Sequence, residues 1–466
     1  MAADNASVLR KIPSVDALLQ ADELKRHADV PRRLLVEAVR GAVEDARSLL
    51  VRGCAPAEET AVRGLILERA EARLREAVGP FYRRAVNATG IILHTGLGRA
   101  PLPARAMQQL AEHMAGYSLL QVDPETGKRS RRDERIEWLL QRLTGCEAAT
   151  VVNNNAAATM IVLATVARGK EVIVSRGQLV EIGGSFRLPD VMEASGAKLV
   201  EVGTTNKTHP RDYENAVTDN TAAILRVHPS NYKISGFTEE VPLEEMVRIA
   251  HSRGLVLIDD VGAGALVDFS QFGFADQPTL PDSLRAGADV VLSSADKLIG
   301  GPQGGLIMGK AAIIEKIRKN PLARIVRVGK LTLAALEATL GLFFDDPAAL
   351  REVPTLAMLA RDLGDLTAQA QRIAAAVGKA VPGARLETFD GASQMGSGSL
   401  PTQNIPTRLV AVTCEAISAD DLAARLRRHE PPVVARIQDG RVLIDPRTLL
   451  AGDEEILVRA LVSALA

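Results

Sequence analysis

A chain of 466 residues and 49.7 kDa has room for two or three packed units and a large buried core. Hydrophobic residues at 47% and charged residues at 24% sit at the globular average, which excludes the disordered, collagenous and coiled-coil classes. The 56 Lys and Arg against 57 Asp and Glu leave a net charge of -1, so a nucleic-acid or membrane partner has to be met by a local patch.

Cys54, Cys146 and Cys414 are far apart, odd in number and in no CxxC or zinc-type spacing. They read as free thiols in a reducing compartment, with no structural metal. The segment Met1–Pro13 carries Asp4, Arg10 and Lys11 and no apolar stretch, so it does not read as a secretory signal. The longest nearly apolar run, Ala156–Ala167, is shorter than the roughly 18 residues of a membrane span. The expected location is the cytoplasm, without a membrane partner.

Residues 14–84 show helical periodicity and no strand signal, as in Leu34, Leu35, Ala38, Val39, Ala42 and Val43. This predicts an all-helical unit, 1–84, whose basic side chains are mostly arginine, nearly balanced by acids. From Asn87 short β-rich runs alternate with helical segments: Thr150–Val152, Glu171–Val174, Lys198–Val202, Ala222–Leu225, Leu255–Ile258 and Asp289–Leu292. Such alternation predicts a mainly parallel sheet covered on both faces, over 85–330, with ligands at the carboxyl ends of its strands. A third unit, 331–466, opens with helices over Leu331–Leu342 and from Pro354 to about Val377. An α+β pattern follows, with strands Arg408–Thr413, Val433–Ile437 and Val442–Ile444. The Gly/Ser-rich stretch Gly391–Pro401 reads as a loop.

Three constellations carry chemistry. Ser293-Ser294-Ala295-Asp296-Lys297 leads from a buried strand into the glycine-rich turn Gly300–Gly305, where a desolvated lysine can form a Schiff base and bare backbone admits a flat cofactor. Leu255–Ile258 ends in Asp259-Asp260, and an Asp at such a strand end can hold a pyridinium nitrogen protonated. Asp260 is favoured by the Asp260-Val261-Gly262 pattern, and Asp259 is the alternative. Asn153, Asn154, Asn155 and Ala156 open an apolar helix whose first amides suit a phosphate. Each has a plain structural reading too: a surface lysine, a capping Asp, an ordinary Asn N-cap. Their order, phosphate cup then Asp then Lys, is that of fold-type I pyridoxal-phosphate enzymes, in which the stretch His228–Asn231 would supply Asn231 to the cofactor's phenolic oxygen.

Further stretches make the resemblance specific: Asn87–Gly90 with His94–Arg99, Val180–Arg187, Gly203–Asn206, Gly300–Gln303 after Asp296-Lys297, and Pro321–Arg327. With them the chain resembles the bacterial selenocysteine synthase family, the L-seryl-tRNA(Sec) selenium transferases, over essentially its whole length. It departs at Gly96, where the family usually has Asn, and at Gly329, where Asp is common. The resemblance implies a fold-type I α/β enzyme with an N-terminal helical domain and a small C-terminal α+β domain. It also implies pyridoxal 5′-phosphate on Lys297, bound further by Asp260, Asn154, Asn155, Ala156, Asn231 and Ser294. The implied reaction removes the α-proton and β-hydroxyl of a seryl group on tRNA(Sec), then adds selenium from selenophosphate to the dehydroalanyl intermediate. Lys297 would be the base, Asp296 an orienting group, and Arg99, Arg324 and Arg327 the holders of the donor, because planar guanidinium groups grip oxyanions in pairs. His94 is a weaker site candidate. tRNA recognition falls to the helical unit, and the assembly implied is a ring of dimers, a decamer. A pyridoxal-phosphate lyase or aldolase acting on a small amino acid or amino sugar phosphate is the rival reading, since fold alone does not fix substrate.

Overall fold

The computed structural model describes residues 9–54, 58–183, 186–274, 277–400 and 403–466. Residues 1–8 of the N-terminal stretch, Gly184 and Ser185 of the Val180–Arg187 motif, and Pro401 at the end of the Gly/Ser-rich segment lie outside the described residues. The chain separates into two compact units, Met1–Arg84 and Ala85–Ala466.

The first unit is helical. Short helices over Val15–Leu19 and Asp22–Lys25 precede α1 (Arg32–Val51) and α2 (Glu59–Val78). The apolar stripe of α1, Ala38, Val39, Ala42, Val43, Ala46 and Leu50, is buried in one cluster with Val62, Ile66, Leu67, Ala70 and Leu74 of α2. Residues three and four apart share a helix face, so the pattern itself closes this core.

The second unit is built on a seven-stranded sheet. Its strands are β1 (Ala148–Val152), β2 (Glu171–Ser175), β3 (Lys198–Val202), β4 (Thr221–Val227), β5 (Val256–Gly262), β6 (Val290–Ser294) and β7 (Gly305–Gly309), in the order β1-β7-β6-β5-β4-β2-β3. Strands β6, β5, β4, β2 and β3 pair in parallel, and β7 is antiparallel to both β1 and β6. Alternate residues serve opposite faces: Val172 and Val174 enter one apolar cluster and Ile173 the other. With both faces covered, strand-borne chemistry is left the polar edge where β1, β4, β5 and β6 end. Strand β7 was not legible as such, because five residues bounded by glycines, Gly305-Leu306-Ile307-Met308-Gly309, read as part of a turn.

A four-stranded antiparallel sheet forms the C-terminal part: β8 (Ala384–Ser393), β9 (Ile405–Cys414), β10 (Arg436–Gln438) and β11 (Arg441–Ile444), ordered β8-β9-β11-β10. Helices Leu363–Ala380, Ala419–Arg428 and Asp453–Leu465 bury its core side. Strand β8 runs on to Ser393, three residues into the segment read as a loop, because Ser393 pairs with Ile405 and its hydroxyl donates to buried Asp445 at 2.8 Å. The stretch from Pro354 is two helices, Pro354–Leu359 and Leu363–Ala380, the second capped by the Asp362 carboxylate on Gly364 N–H. Val86–Asn87 pairs in parallel with Val433–Val434, and Ile92 and Leu93 donate to the carbonyls of Gln394 and Met395, so the start of this unit is stitched to its end.

Candidate active site

Lys297 sits in the turn that follows β6. The turn closes through Gly300 N–H to the Lys297 carbonyl at 3.0 Å and Gly301 N–H to the Ala295 carbonyl at 2.8 Å, with Gly300 at φ +72° where a side chain would be strained. The lysine is buried, and among the described residues no hydrogen bond or ion pair holds its amine. Burial, helped by the nearby Arg99 charge, pushes its pKa down to about 8, against the opposing pull of Asp296 and Asp260. About a tenth of this amine is therefore neutral and nucleophilic at pH 7, against well under a hundredth for an exposed lysine.

Strand alternation separates the two carboxylates at the end of β5. Asp259 turns to one face, where Arg226 pairs with it at 3.0 Å. Asp260 turns to the other and accepts from Asn155 Nδ2 at 2.8 Å, Thr159 Oγ1 at 2.8 Å and Gly262 N–H at 3.1 Å. Burial raises the Asp260 pKa while these bonds oppose the rise. Thr159 escaped the sequence reading, although its spacing of four from Asn155 on α3 (Asn155–Val166) puts both side chains on one helix face.

The opening of α3 divides its tasks. Asn154 caps the helix, its side-chain oxygen accepting from Ala157 N–H at 2.8 Å, so its side chain is committed. The first-turn amides of Asn155 and Ala156 have no acceptor within the helix. Asn155 spends its amide nitrogen on Asp260 and leaves Oδ1 buried without a partner. Ser294 is buried at the end of β6. His228 donates its backbone N–H to the Asp260 carbonyl at 2.9 Å, and burial holds its ring pKa down to about 4, hence neutral. Asn231 donates to the Glu181 carbonyl at 2.8 Å, which leaves one amide hydrogen uncommitted and Oδ1 buried and unpartnered. A buried free amine, a buried carboxylate oriented by three donors, unpartnered amide oxygens and bare helix-start amides fit a phosphorylated aromatic aldehyde.

Arg99 stands at φ +65° after the short turn Thr95–Leu97 and pairs with Asp296 at 2.7 Å. The two flank a cavity of about 410 Å³ lined also by Thr95, Leu102, Pro302 and Gln303. His94 keeps a buried, unpartnered Nδ1 beside this turn. Arg324 and Arg327 lie elsewhere on the chain. Their segment runs along the end of β1, with Asn153 N–H donating to the Val326 carbonyl at 2.9 Å and Arg327 bridging Val152. They crowd Arg132, whose pKa is lowered by burial and then by the charges of Arg327 and Arg324. Among the described residues no hydrogen bond or ion pair joins either one to Lys297, Asp296 or Arg99. At Gly329, which precedes the helix Lys330–Leu342, an added Cβ would meet open space. At Gly96 it would meet the His94 ring at 3.3 Å.

A sequence profile described as L-seryl-tRNA selenium transferase matches residues 85–450, and one described as the selenocysteine synthase N terminal matches residues 9–47. The chain is 47% identical to the L-seryl-tRNA(Sec) selenium transferase of Geobacter sulfurreducens over 457 residues, 98% of this chain and 99% of the relative. It is 46% identical to that of Desulfomicrobium baculatum over 463 residues, 99% of this chain and 100% of the relative. Among solved structures it is similar to D-glucosaminate-6-phosphate ammonia-lyase, with a TM-score of 0.57, 21% identity, and coverage of 84% of this chain and 98% of that one. At that identity the likeness speaks for the fold, and the architecture is the fold-type I class of pyridoxal-phosphate enzymes.

Proposed function

This chain belongs to the L-seryl-tRNA selenium transferase family, and from that membership we infer that it converts seryl-tRNA(Sec) to selenocysteinyl-tRNA(Sec), using pyridoxal 5′-phosphate at Lys297 and selenophosphate as donor. The observation that supports this best is Lys297, a buried amine with a lowered pKa within electrostatic reach of Asp260 and of the Arg99–Asp296 pair. Pyridoxal phosphate, when bound, supplies an electron sink that lets the α-proton and the β-hydroxyl of a seryl group depart.

Lys297 Nζ would hold the cofactor and, when its amine is free, accept the α-proton, a task suited to an amine that is about half neutral at pH 8. Asp260, kept in place by Asn155 and Thr159, holds a proton at the ring nitrogen. The amides of Asn155 and Ala156 would hold the phosphate, Asn154 fixes the helix that presents them, Ser294 would add a hydroxyl to the site, and Asn231 would offer its remaining N–H to the phenolic oxygen. Asp296 orients Arg99 toward the donor. Arg324 and Arg327 serve the donor too, from a partner subunit, in a homo-oligomer of dimers that closes into a decamer. The helical unit reads the tRNA, and the reaction runs in the cytoplasm. The lyase or aldolase reading is not favoured, because the relatives that match end to end are selenium transferases while the ammonia-lyase shares only the fold.

The test is a selenophosphate titration at fixed seryl-tRNA. Arg324→Ala and Arg327→Ala should each weaken apparent donor affinity by about tenfold or more, the loss of a charged hydrogen bond worth roughly 1.5–3 kcal/mol, and leave tRNA affinity unchanged. A drop in tRNA affinity at constant donor affinity would move both arginines to the RNA-binding surface.

A further inference from the structure

We propose that the cavity between the end of β4 and the segment following β8 seats the terminal nucleoside of the charged tRNA, an adenosine read by side-chain amides; the proposal rests on the tRNA reading above. The cavity holds about 260 Å³ and is walled by Asn231 and Tyr232 on one side and by Gln394, Ser399, Gln403 and Asn404 on the other. Ser399 is 3% exposed and its hydroxyl has no partner, and Asn231 Oδ1 is buried and unpartnered in the opposite wall. Buried polar atoms left unpaired are costly, and one in each wall of the same cavity marks both walls as polar.

Among the described residues the lining carries no charged side chain. A phosphate, a selenophosphate or an amino-acid carboxylate would find no counter-charge there, whereas a nucleobase is neutral and rich in paired donors and acceptors. The side-chain amides of Gln394, Gln403 and Asn404 have no hydrogen-bond partner among the described residues, and an Asn or Gln amide matches the N6–H and N7 edge of adenine with two bonds. Tyr232 is pinned through its hydroxyl to the Gly177 carbonyl, which fixes the half-buried ring as a stacking face.

Position supports the same occupant. The β4 wall continues from His228, bonded to the Asp260 carbonyl, and the opposite wall is tied to the turn bearing Arg99 by Leu93 N–H to the Met395 carbonyl at 2.7 Å and Thr95 Oγ1 to Ser397 Oγ at 2.9 Å. In a seryl ester the α-carbon stands only a few bonds from the terminal ribose, so the base has to fall beside the reacting centre.

The holoenzyme is tested with tRNA(Sec) carrying 8-vinyladenosine, a fluorescent adenosine that keeps N6–H and N7, at its 3′ end, and with seryl-tRNA(Sec) ending in adenosine or cytidine. The wild type should change the 8-vinyladenosine fluorescence on binding and prefer the adenosine-ended substrate in kcat/KM by about tenfold. Gln403→Ala and Asn404→Ala should abolish both effects while keeping the cofactor absorbance and the affinity for the tRNA body. If the wild type converts both substrates equally with a silent fluorophore, the nucleoside seat is wrong and the transferase reading stands. If it converts neither, the transferase reading fails and takes the seat with it.

Discussion

Lys297 shows how much one side chain owes to its surroundings. An exposed lysine titrates near 10.5, and burial, which penalises the charged form of a base, brings this one to about 8. Its neutral fraction then rises about tenfold between pH 7 and pH 9 and saturates above that. Capture of pyridoxal phosphate by the apoprotein, followed by imine absorbance, should trace that curve. A rate still climbing at pH 10 would show an unperturbed lysine. Asp260 is the companion case. Thr159→Val keeps the shape of the residue but removes a donor from a buried carboxylate oxygen, and a loss of roughly 1–3 kcal/mol in urea unfolding is expected. Asp260→Asn should retain cofactor absorbance and slow α-proton loss severely, measured as solvent deuterium exchange into the seryl group; an unchanged exchange rate would remove Asp260 from the ring nitrogen.

At the level of elements, the opening of α3 depends on how closely β7 passes it. A Cβ at Gly305 would run into the Asn154 carbonyl, whereas one at neighbouring Gly304 would meet nothing nearer than Val151 at 3.5 Å. Gly305→Ala should therefore push the helix start out of line, weaken cofactor affinity and destabilise the protein by roughly 1–3 kcal/mol. Gly304→Ala should be nearly silent in both a cofactor titration and a thermal melt. Equal tolerance of the two would mean that the helix start is not held by this close approach. The same strand explains why β7 was not legible from the sequence. Its neighbours announce themselves as β-branched runs, while β7 hides between glycines that exist for the close approach.

The whole molecule comprises two units, each with a core of its own, so each can be tested separately. Within the helical unit Arg26, Arg33, Arg47, Arg69, Arg73 and Arg75 form ion pairs, and these exposed pairs fit the plain reading of solvated helix faces. Arg32, Arg40, Arg52 and Arg63 are exposed and form no ion pair among the described residues. Removing residues 1–84 should sharply weaken tRNA binding in a gel shift and leave the cofactor spectrum intact. Replacing those four arginines with Ala in the full chain should lower the salt dependence of binding, by a slope of about 0.7–0.9 for each phosphate no longer neutralised. If tRNA affinity survives the deletion, the unit serves assembly instead.

The sequence by itself determined the alternating architecture and singled out Lys297 and its neighbours as the candidate site, because burial periodicity and strand-end motifs are local properties written into consecutive residues. Only the tertiary structure separated Asp259, paired with Arg226, from Asp260, held by Asn155 and Thr159, since the separation depends on which face of β5 meets α3. It alone recruited Thr159, placed the Asn155 side chain on the Asp260 carboxylate, and gathered Arg324 and Arg327 around Arg132 instead of Lys297. Those relations join residues tens to hundreds of positions apart, and pairings at that separation are set by how sheet and helices pack, which no local pattern records.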